Sequence, residues 1–259
     1  MRIACGVEYD GSEFSGWQRQ RHARSVQAEV EAALARVADH PLEVACAGRT
    51  DAGVHATWQV IHFDSAAGRS ERSWVLGANA NLPRDVRLLW AKPVEEDFHA
   101  RFSARARSYR YVILNSEVPS ALLRQRVTWT HRPLDEGRMR EGARHLLGEH
   151  DFSSFRATAC QAHSPVREVS RLDLQRSGAC LYLDIEANAF LHHMVRNIAG
   201  VLMAVGCGDR DPGWVRELLE QRDRARGGVT APARGLYLTG VRYPRRYAIA
   251  ETGMLPRYL

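Results

Sequence analysis

Leu42-Glu43-Val44-Ala45-Cys46-Ala47, then Gly48-Arg49-Thr50-Asp51-Ala52-Gly53-Val54-His55, then Trp58-Gln59-Val60-Ile61-His62-Phe63 follow one another early in the chain. The outer two runs are apolar enough to read as strands, and the middle run is the loop they flank. Gly48 and Gly53 let that loop adopt positive φ or approach a ligand closely. Such a turn presents Asp51 at a strand end with Arg49 beside it. A carboxylate kept ionised by a neighbouring guanidinium is a competent nucleophile or base at neutral pH. The same residues equally suit an aspartate bonded to its own turn, with Arg49 in a surface ion pair. Spacing alone leaves both readings standing.

Outward from the loop, strands and helices alternate. Ile3 to Tyr9 reads as a strand that stops at the turn signal Asp10-Gly11-Ser12. Ser25 is placed to cap a helix through Ala38, in which Val26, Val30, Leu34 and Val37 form one stripe. A helix over Ser70 to Ala80 and a strand over Val86 to Val94 follow. A second round begins near Ser103, with a strand at Tyr109 to Leu114. Asp135 caps a helix in which Met139, Ala143, Leu146 and Leu147 share a face before Gly148 ends it. Leu172 to Leu174 sits in a strand. In the next, Leu181, Leu183 and Ile185 alternate with Tyr182, Asp184 and Glu186, which predicts one dry and one polar face. His192 to Val205 is an apolar helix, Asp211-Pro212 opens another to about Arg222, and Leu236 to Arg242 closes with a strand. The expected fold is α+β: two similar lobes of mixed or antiparallel sheet flanked by helices, with a basic cleft between them. Residues 1–104 form the lobe that carries the Asp51 loop, and residues 105–259 the lobe that completes the site.

Charge narrows the partners. The 259 residues carry a formal net charge of +6, and Lys92 is the only lysine. Arginine grips phosphate and stacks on bases, so an Arg-rich basic surface favours nucleic acid. Arg19, Arg21 and Arg24, Arg105, Arg107 and Arg110, Arg222, Arg224 and Arg226, and Arg245 and Arg246 are candidate phosphate contacts. Any one cluster also reads as a solvated face. Five scattered cysteines lack the spacing of a zinc or redox motif and read mostly as buried small residues in a reducing cytoplasm. His192 and His193, as helical neighbours, would point about 100° apart, which argues against a shared metal ion. No metal and no cofactor is expected. The N-terminus lacks a signal-peptide pattern, and no apolar run approaches the roughly 20 residues that span a bilayer, so the expected location is the cytoplasm, away from membranes.

Gly48 to His55 resembles, residue for residue, the active-site motif of the TruA family of tRNA pseudouridine synthases. Four more segments resemble that family in its own order. They are Glu8 to Ser12 with Phe14, Gly16-Trp17-Gln18 and Gln20; Phe98 to Ala104 with Tyr109-Arg110-Tyr111; Phe190-Leu191, Met194 to Asn197 and Gly200; and Ala231-Pro232 with Gly235 to Leu238. Trp58 departs from the usual glycine, a change that bears on strand packing or the cleft wall. The resemblance implies that Asp51 attacks the target uridine, whose uracil then rotates and rejoins the ribose through C5. It implies that Tyr109 stacks on the flipped base and that Arg196 pairs with the catalytic carboxylate. Arg49 is left either that carboxylate or the gap the nucleotide vacates. Leu236 would line the uracil pocket, though a core leucine is an equal reading. Arg196 also borders an apolar helix face, where an unpaired charge is costly. The implied substrate is the anticodon stem-loop of many tRNAs, at uridines 38, 39 and 40. The implied active form is a homodimer, and no metal or redox group is needed.

Overall fold

In a computed structural model, which describes residues 1–258, the chain folds into ten strands and five α-helices, an α+β protein. In chain order these are β1 (Arg2–Tyr9), α1 (Val26–Ala38), β2 (Ala45–Cys46), β3 (His55–Asp64), α2 (Glu71–Asn81), β4 (Val86–Val94) and β5 (Ala106–Asn115). Then come β6 (Thr128–Thr130), α3 (Glu136–Arg144), β7 (Gly148–Asp151), β8 (Val166–Ser177), β9 (Cys180–Ala187), α4 (Met194–Gly206), α5 (Trp214–Gln221) and β10 (Leu236–Arg242).

Two compact units share these elements: Met1–Arg105 with Tyr237–Pro256, and Ala106–Leu236 with Arg257 and Tyr258. Tyr237–Pro256 thus belongs to the first unit and not to the lobe expected over residues 105–259. The cause is pairing: β10 runs parallel to β3, with Tyr237 opposite His55 and Leu238 opposite Ala56. In the first unit β4, β1 and β3 are antiparallel neighbours, and β2 adds to β3. In the second, β5, β9, β8 and β7 are antiparallel in that order, with β6 parallel to β5. The sheet is therefore mixed within each unit.

Local rules account for most boundaries. Ser70 and Asp135 accept hydrogen bonds from Ser73 N and Arg138 N, capping α2 and α3 at their first turns. Ser25 precedes α1 but makes no side-chain cap. The strand expected at Leu42 to Ala47 shrinks to two residues, and β3 begins three residues before Trp58. The helix expected to run to Gly148 stops at Arg144, because Gly148 takes φ +93° and opens β7 instead. Strands β6 and β7 are too short to show a period in the sequence. Neither histidine of His192-His193 is helical: His193 is left-handed (φ 62°) and α4 starts after it, so the 100° argument does not apply to them. Only Cys5 and Cys180 are fully buried, the other three cysteines being half-buried.

The expected polar face of β9 is also covered. Leu181, Leu183 and Ile185 are buried as predicted, but Tyr182 on the other face is only 5% exposed. Over it lies Arg110, whose Nε and Nη2 donate to Asp184 Oδ1 and Oδ2 at 2.7 Å each. The register makes this possible, since Arg110 sits directly opposite Asp184. Trp58 belongs to the first unit's packing: its ring is 5.9 Å from Trp90, and its Nε1 donates to Ala250 O.

Candidate active site

The loop between β2 and β3 is fixed mainly through its backbone. Val54 N donates to Asp51 O at 3.2 Å, closing a turn in which Gly53 takes φ +76°. Trp17 N donates to Thr50 O and Gly53 N to Phe14 O, so the segment after β1 clasps both sides of Asp51. That clasp requires glycine. Gly16 has φ +94°, and a Cβ there would lie 2.7 Å from Thr50 O; a Cβ at Gly11 would lie 1.9 Å from Val54 O. Side chains complete the frame. The Tyr9 hydroxyl is bonded to Thr50 Oγ1 at 2.8 Å in the interior, and the Gln59 amide bonds Gly48 on both its N–H and its carbonyl.

His55 is 2% exposed and stacks on Tyr237, with ring centroids 4.6 Å apart. Its Nδ1 is 3.0 Å from Gly11 N and 3.1 Å from Asp10 Oδ1. A nitrogen that accepts from Gly11 carries no proton, so the first contact needs a bare Nδ1 and the second needs Nδ1–H. The His55 contact and then those of Ser12 hold the Asp10 carboxyl below the usual carboxylate range. Asp51 itself is half-buried and Arg49 is exposed. No ion pair joins these two within 4 Å among the described residues.

In the second unit, Tyr109 is 8% exposed and meets the edge of Phe190 at 5.0 Å. Tyr111 on the same strand is fully buried, its hydroxyl bonded to Thr128 Oγ1 and Pro232 O. Burial raises the Tyr111 pKa, opposed by the charges of Arg196 and Arg234. Arg196, on the first turn of α4, is half-buried, and its Nε donates to Ala231 O at 2.9 Å. Ala231 N donates back to Arg196 O. Gly200 allows this approach, since a Cβ there would sit 1.8 Å from Val229 O. Leu236, 6% exposed, begins β10.

A family model described as tRNA pseudouridine synthase matches residues 6–103 and 143–244, which include every part of this framework except Tyr109 and its strand neighbours. The chain belongs to that family. Among its relatives, the tRNA pseudouridine synthase A of Methylococcus capsulatus is 64% identical over 97% of this chain and 93% of its own. That of Nitrosococcus oceani is 60% identical over 95% of each, and that of Coxiella burnetii 54% identical over 100% and 99%. Among solved structures, one titled "Crystal Structure of a Cbf5-Nop10-Gar1 Complex" is 12% identical, with a TM-score of 0.36 over 91% of this chain and 48% of that one. So low a score carries no argument. The synthase is thus a member of an isomerase family, and no helix among its described residues is long and apolar enough to cross a membrane.

The synthase uses many of its arginines internally. Arg110 is 5% exposed and committed to Asp184, which removes it from the surface set. Arg19 pairs with Glu31 and Glu43, and Arg24 with Glu29 and Asp85. Arg107 donates to Asn188 O, and Arg224 to Asn197 and Thr230. Arg21 remains an exposed cation on the loop before α1. Sequence reasoning assigned no role to Tyr9, Gln59 or Asn197. Asn197 is 1% exposed and ties α4 to Phe155 O and Thr230. A polar side chain on the apolar stripe of α4 was the available signal.

Proposed function

We propose that this chain isomerises uridine to pseudouridine in the anticodon stem-loop of tRNA, at positions 38, 39 and 40. In this reading Asp51 is the nucleophile, and the protein acts as a cytoplasmic homodimer. The observation that carries the reading is that Asp51 lies within a segment matched by the family model, on a turn held from both sides by backbone hydrogen bonds. A nucleophile needs that kind of preorganisation, because small misplacement of a reacting group costs rate. The reaction conserves atoms and electrons. Asp51 bonds to the target nucleoside as the N1–C1′ bond breaks; the uracil turns, C5 bonds to C1′, and the bond to Asp51 breaks to free the carboxylate. The C5 proton is then lost, and N1 ends up protonated.

Tyr109 and Leu236 are assigned to the base, Arg196 to the catalytic carboxylate and Arg49 to the displaced nucleotide. Exposure of Arg49 and the absence of an Arg49–Asp51 pair support that division between the two arginines. Arg19, Arg21, Arg24 and Arg107 are assigned to phosphates, and the first three are exposed. The test is release of tritium from tRNA labelled at uridine C5, in EDTA, by wild type and Asp51→Asn. Release by wild type alone supports the reading. Release by both variants removes Asp51 from its role, and release by neither removes the activity.

A further inference from the structure

Phe102 is 75% exposed, and no other Phe, Tyr or Trp among the described residues is exposed. Leaving such a ring in water forgoes the stabilisation of burying it. The ring is nevertheless held in place. It lies 4.3 Å from the His99 ring at 34°, and the Arg101 guanidinium carbon is 5.5 Å from its centroid.

The backbone under it is locked at every step. His99 Nδ1 accepts from Arg101 N and Phe102 N, Ser103 Oγ accepts from His99 N, and Ser103 N donates to His99 O. One residue away, His62 Nδ1 accepts from Ala100 N, and the Tyr243 hydroxyl donates to Ala100 O. Burial, helped by nearby positive charge, lowers the pKa of both histidines, His62 to about 4. Both rings therefore stay neutral at physiological pH and keep the acceptor nitrogen that these bonds require.

We propose that Phe102, with Arg101 beside it, is a stacking platform for an unpaired base of the RNA, the guanidinium taking the adjoining phosphate. The proposal rests on the tRNA reading above and names a contact outside the reacting nucleotide. A flat, rigid ring presents a face to any base, and a cation at its edge suits the sugar–phosphate chain that carries the base. The sequence neighbours of Phe102 favour RNA over an apolar protein partner: Arg101 and Arg105 are both exposed, in a chain of net charge +6.

The experiment measures binding of an unmodified tRNA transcript, turnover at saturating tRNA and sedimentation for wild type, Phe102→Ala and Phe102→Trp. Phe102→Ala should weaken binding by roughly five- to a hundredfold, the worth of one stacked base. Phe102→Trp should bind as wild type does, and both variants should sediment as wild type does. Arg101→Gln should shallow the log–log salt dependence of binding by roughly 1, one phosphate contact. Undiminished binding by Phe102→Ala overturns the proposal. A changed sedimentation coefficient with undiminished binding also overturns it, and gives the ring to a second copy of the chain. If wild type binds tRNA through Phe102 but makes no pseudouridine, the proposed activity fails and the platform stands.

Discussion

On the β5–β9 pair, Arg110 and Asp184 face each other and close on one another through two hydrogen bonds; in the loop before β3, Arg49 and Asp51 are two residues apart and make no such pair. The first pair is satisfied by itself. Its side chains are 6% and 17% exposed, and Arg110 lies over Tyr182, 4.9 Å from the ring centroid. The second region directs its bonding to the peptide groups on either side of Asp51. The difference separates a structural aspartate from a candidate nucleophile: Asp184 is closed onto an arginine across a strand pair, whereas Asp51 sits on a loop whose backbone is held on both sides.

The comparison breaks most sharply at the two aspartates. Asp51→Asn should abolish pseudouridine formation and leave folding and tRNA binding near wild type, because binding rests on phosphate contacts. Asp184→Asn should do the reverse. It leaves a buried guanidinium without its anion, which costs about 3 kcal/mol, the low end for a broken buried pair because Asp184 keeps some exposure. The folded fraction should still turn over normally. Chemical denaturation and turnover per folded molecule, measured on both variants, check this. If Asp184→Asn lost turnover without losing stability, the division of labour would be wrong.

Arg196 stands between these cases, since its guanidinium is half-buried and one donor is taken by Ala231 O. Lysine supplies a point charge in place of the planar fork, so it does not reproduce the Nε bond to the Ala231 carbonyl and the spread of the remaining guanidinium donors. Arg196→Lys should lower turnover at saturating tRNA about a hundredfold, the scale of a small misplacement at a reacting centre. Binding should change little. A variant that loses affinity alone would move Arg196 to the phosphate contacts.

How much of this was legible follows from the same regions. The α1 stripe, the caps of α2 and α3, and the dry face of β9 could be read because period and capping are local properties. The pairing of β10 with β3 could not, since it joins residues about 180 apart and leaves no local mark. The Asp51 loop was conspicuous for its bracketing glycines, but the clasp by Phe14, Gly16 and Trp17 needs the fold. The argument that an arginine among apolar residues needs an anion was sound in kind. It applies to Arg110 as well, which the sequence places among the surface candidates, because cross-strand register decides which arginine is covered.

The clasp itself is tested at Gly16. Gly16→Ala puts a Cβ at φ +94° and 2.7 Å from Thr50 O, a backbone atom that cannot turn aside. The left-handed strain alone costs roughly 1–2 kcal/mol. The loop has to shift as well, so turnover per folded molecule should fall along with the melting temperature. A fall in stability alone would mean that the position of Asp51 tolerates movement of its clasp.

Tyr9→Phe is the mildest change and isolates one side-chain bond of the frame. The ring stays, with its tilted contact to Trp17 at 5.9 Å, and only the hydroxyl bonded to Thr50 is lost. Thr50 is 7% exposed, so its Oγ1 loses a partner that water does not readily replace. An unmade buried hydrogen bond between neutral groups costs about 1–3 kcal/mol, and one whose donor can re-aim falls at the low end, about 1 kcal/mol. The hydroxyl of Thr50 can rotate, whereas the Thr50 carbonyl keeps its bond from Trp17 N whatever happens at Tyr9. Backbone support therefore survives this variant and not Gly16→Ala. Tyr9→Phe should lose about 1 kcal/mol by denaturation, within the usual worth of one hydrogen bond, and keep turnover within about twofold of wild type. A turnover loss as large as that of Gly16→Ala would show that the side-chain bond, rather than the backbone clasp, sets the place of Asp51.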